Sequence, residues 1–176
     1  MDRNHQPPLL IVIIGFPCSG KSALARKLSA ELNIPVQSKD FWKETLFDGL
    51  GVGDKDWSAM LSDRAYDILF AVTEAHLAGG RSLIIEGNFR SKEHSPILRG
   101  IVERTGSIVK QYVCGAKGED LIRRCENRAK RKNRHPGHLD LLLVDALREE
   151  LAKGWIDPLD LPGELVRVDT GSPSLK

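Results

Sequence analysis

The eight residues Gly15-Phe16-Pro17-Cys18-Ser19-Gly20-Lys21-Ser22 constrain this chain more than any other feature. An unbroken apolar run, Leu9–Ile14, comes directly before them, and a helical pattern, Ser22-Ala-Leu-Ala-Arg-Lys-Leu, directly after. Apolar strand, glycine-bounded loop and helix, in that order, make a G-x-x-x-x-G-K-[ST] unit. The two glycines let the backbone curl until its N–H groups converge on an anion at the positive end of the helix dipole. Lys21 would reach the β- and γ-phosphates, and the Ser22 hydroxyl would ligate Mg²⁺. The expectation is an ATP site built from Gly15, Phe16, Pro17, Cys18, Ser19, Gly20, Lys21 and Ser22.

Length and charge narrow the setting. A chain of 176 residues suits a single domain over 1–176 with a substantial core. No apolar stretch approaches the roughly 20 residues that span a bilayer, and the polar start Met1-Asp-Arg-Asn-His lacks a hydrophobic signal segment. A cytoplasmic protein without membrane partners is expected. The three cysteines cannot all pair and show no metal-ligand spacing. Cys114 and Cys125 fall at core positions, whereas Cys18, in the nucleotide loop, is the one open to oxidation. Between Arg123 and Arg134 stand seven basic residues and one acid, so this segment holds +6 of a net +2 and leaves the rest at −4. That asymmetry fits a compact phosphate site better than a long nucleic-acid track.

Strand and helix patterns alternate along the chain, the mark of a parallel sheet covered by helices. Strands are expected at Leu9–Ile14, Val36–Ser38, Ser82–Ile85, Ile108–Cys114 and Leu165–Val168. Helices are expected near Lys21–Leu32, Phe41–Leu46, a long stretch ending at Gly79-Gly80, Ile97–Thr105 after Pro96, 118–132, and Leu139–Leu151. The long helix carries a stripe of Trp57, Met60, Leu61, Ile68, Leu69 and Val72.

Two carboxylates stand at strand ends. Ligands of open α/β sheets bind beyond the carboxyl ends of the strands, so Asp40, after Ser38-Lys39, would face the phosphate loop. It could take the proton of an attacking hydroxyl, or cap the helix that begins at Phe41. Glu86 follows Leu83-Ile84-Ile85, where a carboxylate can hold Mg²⁺ or a metal-bound water; its simpler role is a hydrogen bond to the adjoining Gly-Asn-Phe turn. Asn88 and Arg90 beyond it could reach an acceptor. Arg124, Arg128 and Arg131, spaced by four and then three, form a row beside the apolar stripe Leu121, Ile122, Cys125 and Ala129. Such a row can clamp phosphate oxygens or be a solvated basic face. The break at Asn133-Arg-His-Pro-Gly-His138 suits a lid of about 118–138. His135 and His138 lack the neighbours of a metal site.

The phosphate loop, Asp40, the Glu86-Gly-Asn-Phe turn, the arginine helix and Val168-Asp169-Thr170 together resemble the P-loop kinases grouped with polynucleotide 5′-kinase, chloramphenicol phosphotransferase and zeta toxins. The resemblance covers nearly the whole chain. It implies a P-loop NTPase three-layer α/β sandwich: a five-stranded parallel sheet in order 2-3-1-4-5, helices on both faces and a helical arginine lid. It implies Asp40 as the base that activates an acceptor hydroxyl. Thr170, just after Asp169, would border the adenine. In the polynucleotide kinases an arginine follows the strand-two aspartate by three residues and binds the acceptor's phosphate; here that position is Lys43, a point charge without a bidentate fork. Trp42, Trp57 and the Gly49–Gly53 loop fall where acceptors bind in such kinases, and would equally serve as core aromatics.

The expected activity is an ATP- and Mg²⁺-dependent transfer of the γ-phosphoryl group to a hydroxyl of a small molecule. Catalysis would rest on Asp40, Lys21 and Arg128, nucleotide binding also on Arg124, Arg131 and Thr170, and metal binding on Ser22 and Glu86. The alternatives are a 5′-hydroxyl polynucleotide kinase and a nucleotide-dependent switch without an acceptor. Acceptor identity and oligomeric state are not encoded in these patterns.

Overall fold

The computed structural model describes residues 6–130, 135–138 and 144–171. Five parallel strands, β1 (Leu9–Gly15), β2 (Val36–Ser38), β3 (Leu83–Gly87), β4 (Ile108–Gly115) and β5 (Glu164–Asp169), form one sheet in the order β2-β3-β1-β4-β5. β1 lies between β3 and β4 and is covered on both faces, which is why its sequence is apolar without alternation. Leu10, Val12 and Ile14 join one buried cluster, Ile11 and Ile13 the other. The period of two thus divides a continuous apolar run between two cores.

The first core is closed by α3 (Lys55–Ala78) and α4 (Ser91–Thr105), through Tyr66, Leu69, Phe70, Leu77, Leu98, Ile101 and Val102. The second is closed by α1 (Lys21–Leu32), through Leu24, Ala25 and Leu28. Burying each of these large aliphatic side chains contributes about 1.5–3 kcal/mol. α2 (Lys39–Leu50) leads out of β2, and α5 (Gly118–Ala129) and α6 (Arg148–Ala152) pack together beyond β4. Ala116, Leu121, Cys125, Val144 and Leu151 form a third, smaller core under them. No helix among the described residues is long and apolar enough to cross a membrane.

Several boundaries differ from those expected. α2 runs through Gly49 to Leu50, so the loop before α3 is shorter than the glycines imply. α4 begins at Ser91 with Pro96 inside it; proline costs one helical N–H bond and does not oblige the helix to start after it. On α3 the buried stripe is Ser58, Leu61, Ala65, Leu69, Thr73 and Leu77, while Met60 faces solvent. Small and hydroxylated residues hold positions that the sequence pattern gives to bulkier neighbours.

Strand register sets the site. Ser38 pairs with Glu86, Ile14 with Gly87, Gly15 with Cys114, and Gly115 with Asp169. These residues therefore lie side by side along the carboxyl edge of the sheet.

Candidate functional site

At this edge the chain leaves β1 at Gly15 and enters α1 at Lys21. A Cβ on Gly15 would collide with the Cys114 carbonyl and the Ser19 hydroxyl, so the tight exit from the strand requires glycine. Gly20, at the N-cap of α1, has φ 86°, the left-handed region glycine enters without strain. Cys18 also has a positive φ, 64°. Alternating backbone handedness of this kind turns successive N–H groups to one side and creates an anion-binding hollow.

A cleft of about 430 Å³ opens here, lined by Lys21, Ser22, Asp40, Glu86, Arg124 and Arg128 together with loop residues Pro17, Cys18 and Gly20. Lys21 is buried, and its Nζ donates to Phe16 O at 2.8 Å. Burial lowers its pKa; Glu86 and Asp40 oppose that effect, and Arg128 adds to it. An ammonium in this position is short of water and is stabilised by anionic oxygen.

Glu86 ends the apolar part of β3 and is itself buried. Its Oε1 accepts from Ser22 Oγ at 3.1 Å and from Ser38 Oγ at 2.7 Å. The carboxylate thus bonds to the phosphate loop and to β2 rather than to the following turn. A serine hydroxyl beside a carboxylate oxygen is a hard donor set, fitting Mg²⁺. Among the described residues no cluster of three or more His, Cys, Asp or Glu could hold a metal alone. A cation at Ser22 and Glu86 would therefore need phosphate oxygens and water as further ligands, the usual way Mg²⁺ is held in nucleotide sites.

Asp40 is not the helix cap. Ser38 occupies the N-cap of α2, and its hydroxyl is committed to Glu86. Asp40 stands in the first turn, where its charge suits the helix dipole, lines the cleft, and pairs with Lys39 Nζ at 3.6 Å. Arg124 donates to Thr170 Oγ1 at 3.1 Å and to Thr170 O at 2.9 Å. Thr170 Oγ1 in turn donates to Gly115 O, and its side chain lies over Gly20. Arg128 lines the cleft one turn further along α5. Arg131 lies outside the described residues. Residues 135–138 meet α2: His135 Nε2 lies 3.2 Å from Asp48 Oδ1, and His138 Nε2 2.7 Å from Glu44 Oε1.

Other candidates are engaged elsewhere. Lys43 Nζ is buried and donates to Ser58 Oγ at 2.9 Å. Arg90 pairs with Glu93 and Asp63, while Asn88 lines the cleft. Trp42 packs on the main core, and Trp57 Nε1 donates to Gly51 O, fixing the loop before α3. Two further residues are not evident from the sequence: Ser38, which bonds Glu86, and Arg26, which lines the cleft. Ser38 is detectable only through its register with Glu86, and Arg26 only as the residue one helical turn beyond Ser22. A third feature is also new: Cys18 and Cys125, 107 residues apart, form a disulfide between the phosphate loop and α5.

Comparison with known proteins agrees with this fold. A proposed kinase from Chloroflexus aurantiacus J-10-fl is 36% identical, with a TM-score of 0.85 over 96% of this chain and 91% of its own. The APS kinase CysC of Mycobacterium tuberculosis, solved with AMPPNP and APS, shows 18% identity and a TM-score of 0.59, covering 96% of this chain and 91% of its own. Chaetomium thermophilum Kti12, solved with ADP-AlF3, shows 20% identity and a TM-score of 0.62, covering 92% and 89%. At those identities the last two share the fold. No curated protein matches the sequence. Fold and cleft define a P-loop protein of the small-kinase group. The chain belongs to the AAA domain family, whose profile matches residues 10–153.

Proposed function

We propose that this protein is a single-domain, ATP- and Mg²⁺-dependent phosphotransferase that moves the γ-phosphoryl group to a hydroxyl of a small molecule. The observation that carries the reading is the position of Asp40, whose carboxylate lines the same cleft as Lys21, Ser22, Glu86, Arg124 and Arg128. Phosphoryl transfer is chiefly positioning and charge stabilisation, with one group needed to accept the acceptor's proton. Asp40 is that group. The N–H groups of Gly15–Ser22 hold the phosphates, and Lys21 and Arg128 stabilise charge on the transferred group. Arg124, tied to Thr170, holds the lid helix over the nucleotide, with Thr170 at the adenine side and Arg131 as a further phosphate contact.

Ser22 and Glu86 would hold Mg²⁺, which would supply charge neutralisation for the phosphate oxygens. The buried bond of Lys43 to Ser58 favours a small acceptor over a polynucleotide, because the cation is turned to α3 instead of an acceptor phosphate. The test is ADP formation by the purified protein with Mg²⁺ and ATP. The acceptor panel comprises nucleosides, sugars, aminoglycoside- and phenicol-type compounds and a 5′-hydroxyl oligonucleotide. Stimulation by a small hydroxyl compound is expected. Stimulation by the oligonucleotide alone, with salt-sensitive binding, would move the assignment to a polynucleotide kinase.

A further inference from the structure

The Cys18–Cys125 bond joins the phosphate loop to α5, the helix that brings Arg124 and Arg128 to the same cleft. Cys18 is half-buried and lines the cleft. Cys125 is buried on the inner face of α5, between Arg124 and Arg128 in sequence. Their Cα atoms lie 5.5 Å apart. Fixing Cys125 to the loop fixes the helix that carries both guanidinium groups. Apart from this bond, the contacts of α5 among the described residues include the packing of Leu121 and Ile122 in the third core, the Glu126–Arg148 ion pair to α6, and Arg124 holding Thr170. Those contacts are individually weak enough to open and close as a lid must for nucleotide entry and product release. A covalent tether is not.

We propose that Cys18 and Cys125 are a reversible thiol–disulfide switch that sets the rate of nucleotide exchange. Its consequence for catalysis rests on the phosphotransferase reading above; the bond itself does not. The oxidant is a low-molecular-weight disulfide. The Cys18 thiolate attacks one of its sulfurs, forming a mixed disulfide and releasing one thiolate. The Cys125 thiolate, its proton passed to solvent, then attacks the Cys18 sulfur, closing the intramolecular bond and releasing the second thiolate. A dithiol reverses both steps. Cys18 is suited to react first, since it is half-buried and lines the open cleft, whereas Cys125 is buried on the inner face of α5. Cys114 serves as an internal control: it is buried in β4, and burial pushes its thiol up to about 11.

The test treats the whole protein with oxidised glutathione or with dithiothreitol. Peptide mapping without reduction should find Cys18 linked to Cys125 after oxidation; absence of that peptide overturns the proposal. Amide hydrogen exchange over Gly118–Ala129 should be slower in the oxidised form, and equal exchange overturns it. Release of a fluorescent ATP analogue in Mg²⁺ should slow by about tenfold on oxidation, a usual size for coupled sites, and recover with dithiothreitol. Cys125→Ser and Cys125→Ala should release the analogue at the reduced rate under both treatments. A linked peptide with unchanged release overturns the switch. If no analogue binds in either state, the phosphotransferase reading falls, and peptide mapping with hydrogen exchange decides whether the tether exists and restrains α5.

Discussion

Lys21 brings a positive charge into a site where 7% of the residue is exposed, and burial lowers its pKa against the pull of Glu86 and Asp40. On the proposed reading the charge serves the ligand more than the fold. Lys21→Met is therefore expected to weaken ATP binding by roughly tenfold or more, the effect of about 1.4 kcal/mol, without lowering the melting temperature of the nucleotide-free protein. Titration calorimetry and a thermal melt on the same variant check both halves. His94 shows the opposite balance. It is buried among Tyr66, Phe70 and Phe89, its Nδ1 accepts the Arg90 N–H at 2.8 Å, and burial, then Arg90, lowers its pKa from 6.5. Above pH 6.5 the ring is neutral in both states. Below it the unfolded chain binds a proton that the native ring resists, so stability falls as pH falls toward the native pKa. The slope from this group is at most about 1.4 kcal/mol per pH unit. Denaturation at pH 7 and pH 5 should show a larger loss in wild type than in His94→Asn, and equal losses would remove His94 from the account. Lys21, Ser22 and Glu86 were legible in sequence because a strand end and a fixed motif define their places. Ser38 was not, since its role depends on pairing with a strand 48 residues away.

Among the elements, α3 shows how far periodicity reaches. Helix spacing locates the element and includes Leu61 and Leu69, but cannot say which flank faces the sheet when Ser58, Ala65 and Thr73 line the contact. Leu69 is fully buried, whereas Met60 is 41% exposed. Leu69→Ala should cost about 2–5 kcal/mol, and Met60→Ala within about 0.5 kcal/mol. Urea denaturation with an unchanged m-value measures both. β1 was legible almost to the residue, because a doubly covered strand is written as an unbroken apolar run. α2 was less so: Gly49 reads as a breaker, yet the helix ends at Leu50 and only then does Gly51 take a positive φ, 90°. The pairing of Cys18 with Cys125 has no local signature, since neither the loop nor α5 encodes where the other will dock.

For the whole molecule, the sheet order assembles the cleft. Placing β1 between β3 and β4 brings Glu86 beside the phosphate loop, and β2 at the edge delivers Asp40 to the same cleft. The chain order of these elements made the strand order legible through the family resemblance, and register supplied the remaining geometry. α5 then borders the cleft from the β4–β5 side, with Arg124 bonded to Thr170. The central claim is that Asp40 accepts the acceptor's proton during phosphoryl transfer. Its most direct test is the turnover and ATP affinity of Asp40→Asn, measured side by side with wild type on the acceptor that stimulates ADP formation. Turnover is predicted to fall by about 10²- to 10⁴-fold with ATP affinity unchanged. Wild-type turnover in Asp40→Asn would contradict the account.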